Sequence, residues 1–274
     1  MNRTMITAHS GCEGTGIDTM DSIEKALEVG SDAVEIDVRI DPLGNLRVSH
    51  DLLSLEEYLE KNQLEKVFQR VFPTSLMINF DIKEPKAIHI TIQAAKDFGF
   101  PSERLILTGC AAPDILLNDT GLSGEASFFL NFERLLKYFY LHHREDLGDE
   151  LFTALMEDPL ILVIDANDPR PNVYLYDTSG IQQKFYAAVK TLREDIFEDI
   201  LRVFQETQAK AINLPKILLK TKFIKKMSDA DIPLSVWTVD EPELIQLCLT
   251  MGVYNITTRC PESALRYRNE YLNN

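Results

Sequence analysis

The sequence predicts an α/β protein with the (β/α)8 TIM-barrel fold and an insertion in the second half of the chain. Three observations lead to this fold. Eight short apolar segments favour strands, helical patterns lie between them, and the 274 residues match the length of one such barrel. We therefore expect residues 1–274 to form a single TIM-barrel catalytic domain.

The predicted strands and helices alternate along the chain. We expect the strands at residues 5–9, 32–40, 76–83, 105–108, 128–131, 211–214, 234–239 and 255–258. We expect helices at 18–28, 55–70, 85–98, 113–117, 220–227, 243–250 and 263–271. Glycines such as Gly30 and Gly252 are typical helix ends, and Ser54 with Glu57 forms a capping box at the start of the second helix.

Residues 132–207 are too many for a single crossover helix, so they are interpreted as a helical insertion within the barrel. Helix-like patterns cover 135–141, 151–156 and 181–205. The extended apolar run at 160–164 leaves open an alternative, in which it is a barrel strand.

The second predicted strand carries charged residues on one face. Glu35, Asp37 and Arg39 alternate with aliphatic residues, so the three charged side chains share one side of the strand. His50 follows a short return segment after a turn. This unit therefore presents two carboxylates and an imidazole together.

The first and third predicted strands add charged and imidazole groups at the same end. His9 ends the first strand, and Asp81 and Lys83 alternate with aliphatic residues on the third. The C-terminal ends of parallel barrel strands meet at one mouth, where the sites of such barrels lie. We expect these side chains to converge there, although a polar network that only fills the barrel is the structural alternative.

The residue types indicate phosphodiester chemistry. Three carboxylates without a thiolate favour Mg²⁺ or Ca²⁺, so we expect a divalent metal ion as the cofactor. Two histidines can supply a general base and a general acid near neutral pH. A metal ion that takes up the developing charge completes the requirements for cleavage of a phosphodiester.

Composition excludes several classes of partner. The net charge of −15 argues against nucleic acid, whose phosphates need basic residues. No apolar run approaches the ~20 residues that span a bilayer, so we expect no stable membrane insertion. We expect a cytoplasmic protein with free cysteines, since the N-terminus has no signal pattern and the four cysteines form no CxxC. The sequence does not indicate an oligomeric state.

Several short motifs occur in a characteristic order. They are His9-Ser10-Gly11, Glu35-Ile36-Asp37, His50-Asp51, Asp81-Ile82-Lys83, Val236-Trp237-Thr238-Val239-Asp240 and Gly252-Val253-Tyr254-Asn255-Ile256-Thr257-Thr258. In this combination, over residues 5–110 and 208–262, the chain resembles a divergent member of the glycerophosphodiester phosphodiesterase family. The resemblance implies the barrel fold, a small phosphodiester substrate and hydrolysis to sn-glycerol 3-phosphate and an alcohol.

The resemblance also implies roles for individual residues. Glu35, Asp37 and Asp81 would be metal ligands, and His9 and His50 would be the catalytic acid/base pair. Lys83 would contact the phosphate. Trp237 would line the substrate pocket, with a core aromatic as the alternative.

The chain departs from the family pattern at several positions. Ser10 stands where the family has an arginine, Ile17 where it has a glutamate, and Arg259 where it has an aspartate. Arg39, on the inward face of its strand, is the candidate that would partly replace the missing arginine in substrate binding.

Two alternative functions stay open. Asp81 in place of the family's glutamate resembles the related phospholipase D-like enzymes, which act on lysophospholipid or sphingolipid headgroups. The loss of the arginine at Ser10 would also fit a catalytically silent barrel that binds a phosphodiester.

Overall fold

A computed structural model describes residues 3–135, 138, 194–219 and 222–273 of the chain. The strands are β1 (Met5–Ala8), β2 (Ala33–Ile40), β3 (Leu46–Val48), β4 (Met77–Ile82), β5 (Leu105–Gly109), β6 (Ser127–Asn131), β7 (Ala211–Pro215), β8 (Leu234–Trp237) and β9 (Asn255–Thr258). All except β3 run parallel in the order β1-β2-β4-β5-β6-β7-β8-β9, and β9 pairs with β1 to close the barrel. The predicted (β/α)8 fold is confirmed.

Helices surround the barrel between these strands. They are α1 (Met20–Val29), α2 (Leu55–Glu60), α3 (Leu64–Val71), α4 (Ala87–Phe98), α5 (Pro113–Asn118), α6 (Glu194–Thr207), α7 (Lys222–Asp229), α8 (Pro242–Met251) and α9 (Pro261–Asn273). Their apolar faces pack on the outside of the barrel; Phe68 of α3, for example, meets Phe80 of β4 with 5.7 Å between ring centroids. Among the described helices, none is both long and apolar enough to cross a membrane.

The single helix predicted over residues 55–70 is wrong, because the chain forms α2 and α3 with a break between them. The break lies beside β3, which forms an antiparallel hairpin with β2. The amide of Val48 donates to the carbonyl of Asn62 at 2.9 Å, and Arg47 forms an antiparallel bridge with Gln63. Pairing with the edge of the hairpin thus replaces helical hydrogen bonds at this point.

Only part of the predicted insertion at 132–207 falls within the described residues. The helix α6 is the last part of it and packs against α5. The alternative barrel strand at 160–164 lies outside the described residues, whereas β6 pairs directly with β7 and the described strands already close the barrel. The single domain and its insertion stay predictions.

The barrel interior changes in character from one end to the other. Near the N-terminal ends of the strands lies an apolar cluster, which we call the lower layer; it consists of Ala33, Ile106, Phe129 and Ala211, with Met5 and Met77 packed against them.

Above the lower layer lie hydroxyl and amide side chains, which we call the middle layer. Asn255 is their centre, accepting from Thr7 Oγ1 at 2.7 Å and donating to Ser235 Oγ at 2.9 Å. Ser235 Oγ in turn donates to Asn213 Oδ1 at 2.8 Å. These polar atoms form hydrogen bonds with one another. The interior can therefore contain a polar layer below the mouth without leaving these atoms unpaired.

Candidate active site

Three carboxylates from two neighbouring strands lie together at the mouth of the barrel. The register of β2 and β4 places Asp37 beside Asp81, and Glu35 lies two residues earlier on the same face as Asp37. One oxygen from each of the three lies within 4.8 Å of the others. Glu35 and Asp37 are buried, and Asp81 is partly buried. The strand register therefore assembles the cluster that the alternation in the sequence predicts.

Lys83 lies between two of these carboxylates. Its Nζ is 2.6 Å from Asp37 Oδ1 and 2.6 Å from Asp81 Oδ2. Burial alone would lower the pKa of Lys83, but the charges of Asp37 and Asp81 outweigh it and raise the pKa well above its usual value. Lys83 is therefore an ammonium ion that compensates one of the three negative charges.

The effect of the remaining negative charge is seen at Glu35, as a raised pKa. Burial raises the pKa of Glu35 well above its usual value, and the charges of Asp81 and Asp37 raise it further. At Asp37 burial acts in the same direction, but Lys83 and His50 outweigh it and lower the pKa. The cluster thus holds more negative charge than its own lysine compensates.

This donor set fits a hard divalent cation. Carboxylate oxygens bind Mg²⁺ at about 2.0–2.1 Å and Ca²⁺ at about 2.3–2.6 Å. Two ligand oxygens of one ion lie at most twice the bond length apart, which is about 5.2 Å for Ca²⁺ and about 4.2 Å for Mg²⁺. Oxygens within 4.8 Å of one another can therefore bind the same Ca²⁺, whereas Mg²⁺ requires all of them within its shorter limit. The uncompensated charge at Glu35 supports this fit, since a cation would remove the repulsion.

Gly109, which sequence reasoning missed, creates the space that Asp81 occupies. It ends β5 beside Ile82 in the ladder and has a φ of 65°. A Cβ atom there would overlap Asp81 Oδ1 and the backbone of Ile82. Only glycine therefore leaves this carboxylate in place, and a lone glycine at a strand end gives no sequence signal of that role.

His9 points one ring nitrogen towards the carboxylate cluster. Its Nδ1 lies 2.6 Å from the carbonyl oxygen of Ser10, which can only accept, so Nδ1 carries the proton. Its Nε2 lies 3.5 Å from Glu35 Oε1. In the neutral ring the lone pair is therefore on Nε2, on the side of the cluster.

His50 is positioned by charged neighbours. Its Nδ1 lies 2.8 Å from Asp51 Oδ1, a carboxylate that accepts the Nδ1 proton. Its carbonyl oxygen accepts from Arg39 Nε at 2.8 Å, and Arg39 Nη1 donates to Glu84 at the same distance. The Arg39 side chain is 0% exposed. The structure thus places Arg39 behind His50 rather than at an accessible surface of the mouth, and Glu84, its partner, has no sequence signal.

Ser10 connects the loop after β1, through Asp18, to the backbone of Asp37. Its Oγ donates to Asp18 Oδ1 at 2.9 Å, and the same Asp18 oxygen accepts from the amide of Asp37 at 3.3 Å. Burial raises the pKa of Asp18 to about 7, and the charge of Asp37 contributes. The first helix was predicted to begin at Asp18, but in the structure it begins after Thr19, whose hydroxyl accepts from the Ser22 amide, and Asp18 is free to bind Ser10.

The opposite side of the mouth carries Trp237 at the end of β8 and Arg259 directly after β9. The indole Nε1 of Trp237 is buried and has no hydrogen-bond partner among the described residues. Arg259 Nη1 donates to Asp240 Oδ2 at 3.1 Å, and Asp240 Oδ1 accepts from the Arg259 amide at 2.7 Å. Ile17, where the family has a glutamate, is 60% exposed.

The remaining histidines lie apart from this mouth or outside the described residues. His89 is on α4, with its side chain 60% exposed and its Nδ1 4.0 Å from Asp119. His142 and His143 fall in a part of the chain that the structure does not describe.

Comparison with known proteins gives a structural match only. No family model matches the chain, and no curated protein matches it in sequence. A glycerophosphodiester phosphodiesterase structure from Parabacteroides distasonis has a TM-score of 0.64 and 16% identity, with 99% of each chain covered. One from Thermotoga maritima has a TM-score of 0.61 and 17% identity, covering 97% of this chain and 99% of the other.

A third structure carries a bound product. It is a phosphodiesterase of Oleispira antarctica in complex with sn-glycerol-3-phosphate, with a TM-score of 0.60, 12% identity, and coverage of 97% of this chain and 96% of that one. The chain therefore shares, over nearly its whole length, the barrel fold of structures described as glycerophosphodiester phosphodiesterases.

Proposed function

We propose that this chain is a metal-dependent phosphodiesterase that hydrolyses glycerophosphodiesters to sn-glycerol 3-phosphate and an alcohol. The observation that carries the proposal is the cluster of Glu35, Asp37 and Asp81 beside His9, at the mouth of the barrel. Structures with the same fold are described as glycerophosphodiester phosphodiesterases, and another, described as a phosphodiesterase, holds the product sn-glycerol-3-phosphate.

The proposed metal ligands are Glu35, Asp37 and Asp81. The all-oxygen donor set favours Mg²⁺ or Ca²⁺. When bound, such an ion would offset the charge that develops on the phosphate oxygens. Lys83, held by Asp37 and Asp81, is proposed to add a second positive charge on the phosphate side.

His9 and His50 are the proposed acid/base pair. In each ring the Nδ1 proton is donated to a fixed acceptor, the Ser10 carbonyl or Asp51, so that Nε2 is the atom that exchanges protons. One imidazole takes a proton from the attacking water, and the other donates a proton to the leaving alkoxide oxygen.

Two further residues take proposed roles beside this pair. Trp237 is kept as a pocket residue, since it ends β8 at the mouth. Arg39 is assigned to positioning His50 rather than to binding substrate, because its side chain is fully buried between Glu84 and the His50 carbonyl.

The test is release of sn-glycerol 3-phosphate from glycerophosphocholine by the purified protein, with EDTA, Mg²⁺ or Ca²⁺. We expect metal-dependent release in the wild type. His9→Ala and His50→Ala should each lower kcat by about 10²–10⁴-fold, which is the usual contribution of general acid–base catalysis. His89→Ala is the matched control and should retain full activity, since His89 lies on α4 away from the mouth.

Other outcomes separate the alternatives. If Mg²⁺ or Ca²⁺ binds but glycerophosphocholine is not cleaved, a lysophospholipid or sphingolipid headgroup becomes the substrate to test. If neither ion binds and nothing is released, a catalytically silent phosphodiester-binding barrel replaces the proposal. The expectations of a cytoplasmic location and of no nucleic-acid partner stay predictions.

A further inference from the structure

The β8–β9 side of the mouth carries a second set of donors, on strands other than the metal-ligand strands β2 and β4. Val236 of β8 pairs with Ile256 of β9, so the strands end side by side with Trp237 and Arg259 at their tips. On the other side, β9 pairs with β1, where Ala8 lies beside Thr258 and the amide of His9 donates to the Thr258 carbonyl at 2.8 Å. Arg259 therefore follows the strand that lies between Trp237 and His9.

Alternation along β8 places Trp237 towards the mouth, and Arg259 lies in the bend that directly follows β9 at the same end of the barrel. Ser235 bonds to Asn255 in the middle layer, and Trp237 lies two residues later on the same face of β8. Thr257 Oγ1 accepts from Asn255 in that layer, and Arg259 follows it by two residues.

Both side chains retain donor capacity. The Arg259 side chain forms one hydrogen bond with the described residues, from Nη1 to Asp240, and it is 51% exposed. Its Nε and Nη2 are therefore available to an acceptor with two oxygens. The indole Nε1 of Trp237 is buried without a partner in the described part of the chain, which is costly unless a ligand supplies an acceptor.

Lys83 differs from Arg259 in this respect. Among the described residues, both contacts of its ammonium are carboxylates of the cluster, and its side chain is only 11% exposed. With a divalent cation bound, three carboxylates, one lysine and the ion sum to zero formal charge. An anionic substrate would therefore gain from a further positive group outside the cluster, and Arg259 is an exposed one at the end of the strand beside β1.

We propose that Arg259 and the indole N–H of Trp237 form an anion-binding subsite, which holds a non-bridging phosphate oxygen of the substrate opposite the metal ligands. This deepens the proposed phosphodiesterase function and rests on it for the identity of the substrate. The subsite also accounts for Ser10: the hydroxyl binds Asp18, and the guanidinium that the loop after β1 lacks is supplied instead from the adjacent strand end at Arg259.

The experiment compares Arg259→Ala, Arg259→Lys and Trp237→Phe with Arg266→Ala. Arg266 is the matched control, because it is exposed on α9 over the ring of Tyr267 and its loss changes the net charge equally. Binding of inorganic phosphate and of sn-glycerol 3-phosphate is measured by calorimetry with saturating Mg²⁺. KM and kcat are measured with glycerophosphocholine.

Loss of a charge-assisted hydrogen bond should weaken phosphate binding in Arg259→Ala by about tenfold to a hundredfold, with a matching rise in KM. Arg259→Lys should restore part of the binding, because it keeps the charge without the planar pair of donors. Trp237→Phe keeps an aromatic ring and should weaken binding by a smaller factor, while Arg266→Ala should equal the wild type.

The subsite is disproved if Arg259→Ala binds phosphate within twofold of Arg266→Ala, or if the wild type binds no phosphate. Failure of the proposed function is distinguishable from this. A wild type that binds phosphate through Arg259 but releases no sn-glycerol 3-phosphate would retain the subsite and reject the glycerophosphodiester substrate.

Discussion

The lower layer and the mouth of the barrel are built by the same strands but differ in chemistry. On β2 the inward face begins with Ala33 and continues with Glu35 and Asp37, and on β4 it begins with Met77 and reaches Asp81. The lower layer stabilises the fold by removing apolar surface from water. The mouth buries carboxylates close together, which costs free energy. The difference indicates that stability and function are separated along the barrel axis.

Glu35→Gln should have the largest effect on activity and should not reduce stability. Loss of one metal ligand removes several kcal/mol of charge stabilisation, so we expect kcat/KM to fall by about a thousandfold. Because burial and the neighbouring carboxylates raise the pKa of Glu35, its carboxylate is unfavourable in the folded protein. The Tm in EDTA should therefore equal or exceed that of the wild type, measured by calorimetry.

The control for this change is Glu206→Gln on α6, where the side chain is exposed and both activity and Tm should stay unchanged. A clear fall in the Tm of Glu35→Gln in EDTA would contradict the separation of stability from function along the barrel axis, because it would show that Glu35 stabilises the fold.

Phe129→Ala tests the opposite end. Phe129 is 1% exposed and packs edge-to-face on Tyr254 with centroids 5.7 Å apart. Its truncation should lower the free energy of unfolding by about 3–5 kcal/mol. Urea titration gives this value, and kcat/KM per folded molecule should stay within twofold of the wild type.

Phe72→Ala is the comparison, because Phe72 is 46% exposed and should lose much less stability. If Phe129→Ala instead abolished activity in the folded protein, the lower layer would be coupled to the mouth and the two ends could not be treated separately.

Strand alternation explains how much of this arrangement the sequence could predict. Period-two patterns on three strands predicted which side chains face inward, and the closed barrel brings Glu35, Asp37, Asp81, Lys83 and His9 to one mouth. This prediction worked because the site of a parallel barrel lies on the inward face of the strands, at their C-terminal ends. Period-two alternation therefore predicts which side chains reach the site, without knowledge of distant contacts.

The residues that the sequence did not predict lie on loops or depend on packing between strands. Asp18 has a φ of 56° and acts through Ser10 and the Asp37 amide, a contact that no periodic pattern encodes. Glu84 lies just beyond β4 and was not distinguished from other surface carboxylates. Arg39 was predicted on the correct face, but its depth of burial depends on the β2–β3 hairpin and on Glu84.

Gly109→Ala tests whether the position of one carboxylate at the mouth, that of Asp81, depends on the space beside Gly109. The new Cβ would overlap Asp81 Oδ1 and Ile82, and the positive φ adds backbone strain of about 1–2 kcal/mol. We expect Mg²⁺ affinity and kcat/KM to fall by about tenfold to a hundredfold, as for loss of support to a metal ligand.

Two control substitutions separate the overlap with Asp81 from the backbone strain of a positive φ. Gly99→Ala carries a φ of 79° with no atom near its Cβ, so it should lose stability but keep metal affinity. Gly124→Ala has neither constraint and should match the wild type. Equal metal affinity in the Gly109 and Gly99 variants would show that Asp81 does not depend on the space beside Gly109.

Thr108→Val should have the smallest effect and probes Thr108 and Asn79, a hydroxyl–amide pair in the barrel interior that we add to the middle layer. Thr108 Oγ1 donates to Asn79 Oδ1 at 3.1 Å, and Asn79 lies two residues before Asp81 on β4. Valine keeps the shape but removes the donor, so the free energy of unfolding should fall by about 1 kcal/mol. Thr250→Val, an exposed site on α8, is the control and should change little.

If kcat/KM of Thr108→Val falls by no more than about twofold, the middle layer belongs with the stabilising end. A tenfold fall would mean instead that the amides and hydroxyls beneath the carboxylates help to hold them, and that the functional region extends one layer deeper than the charged residues.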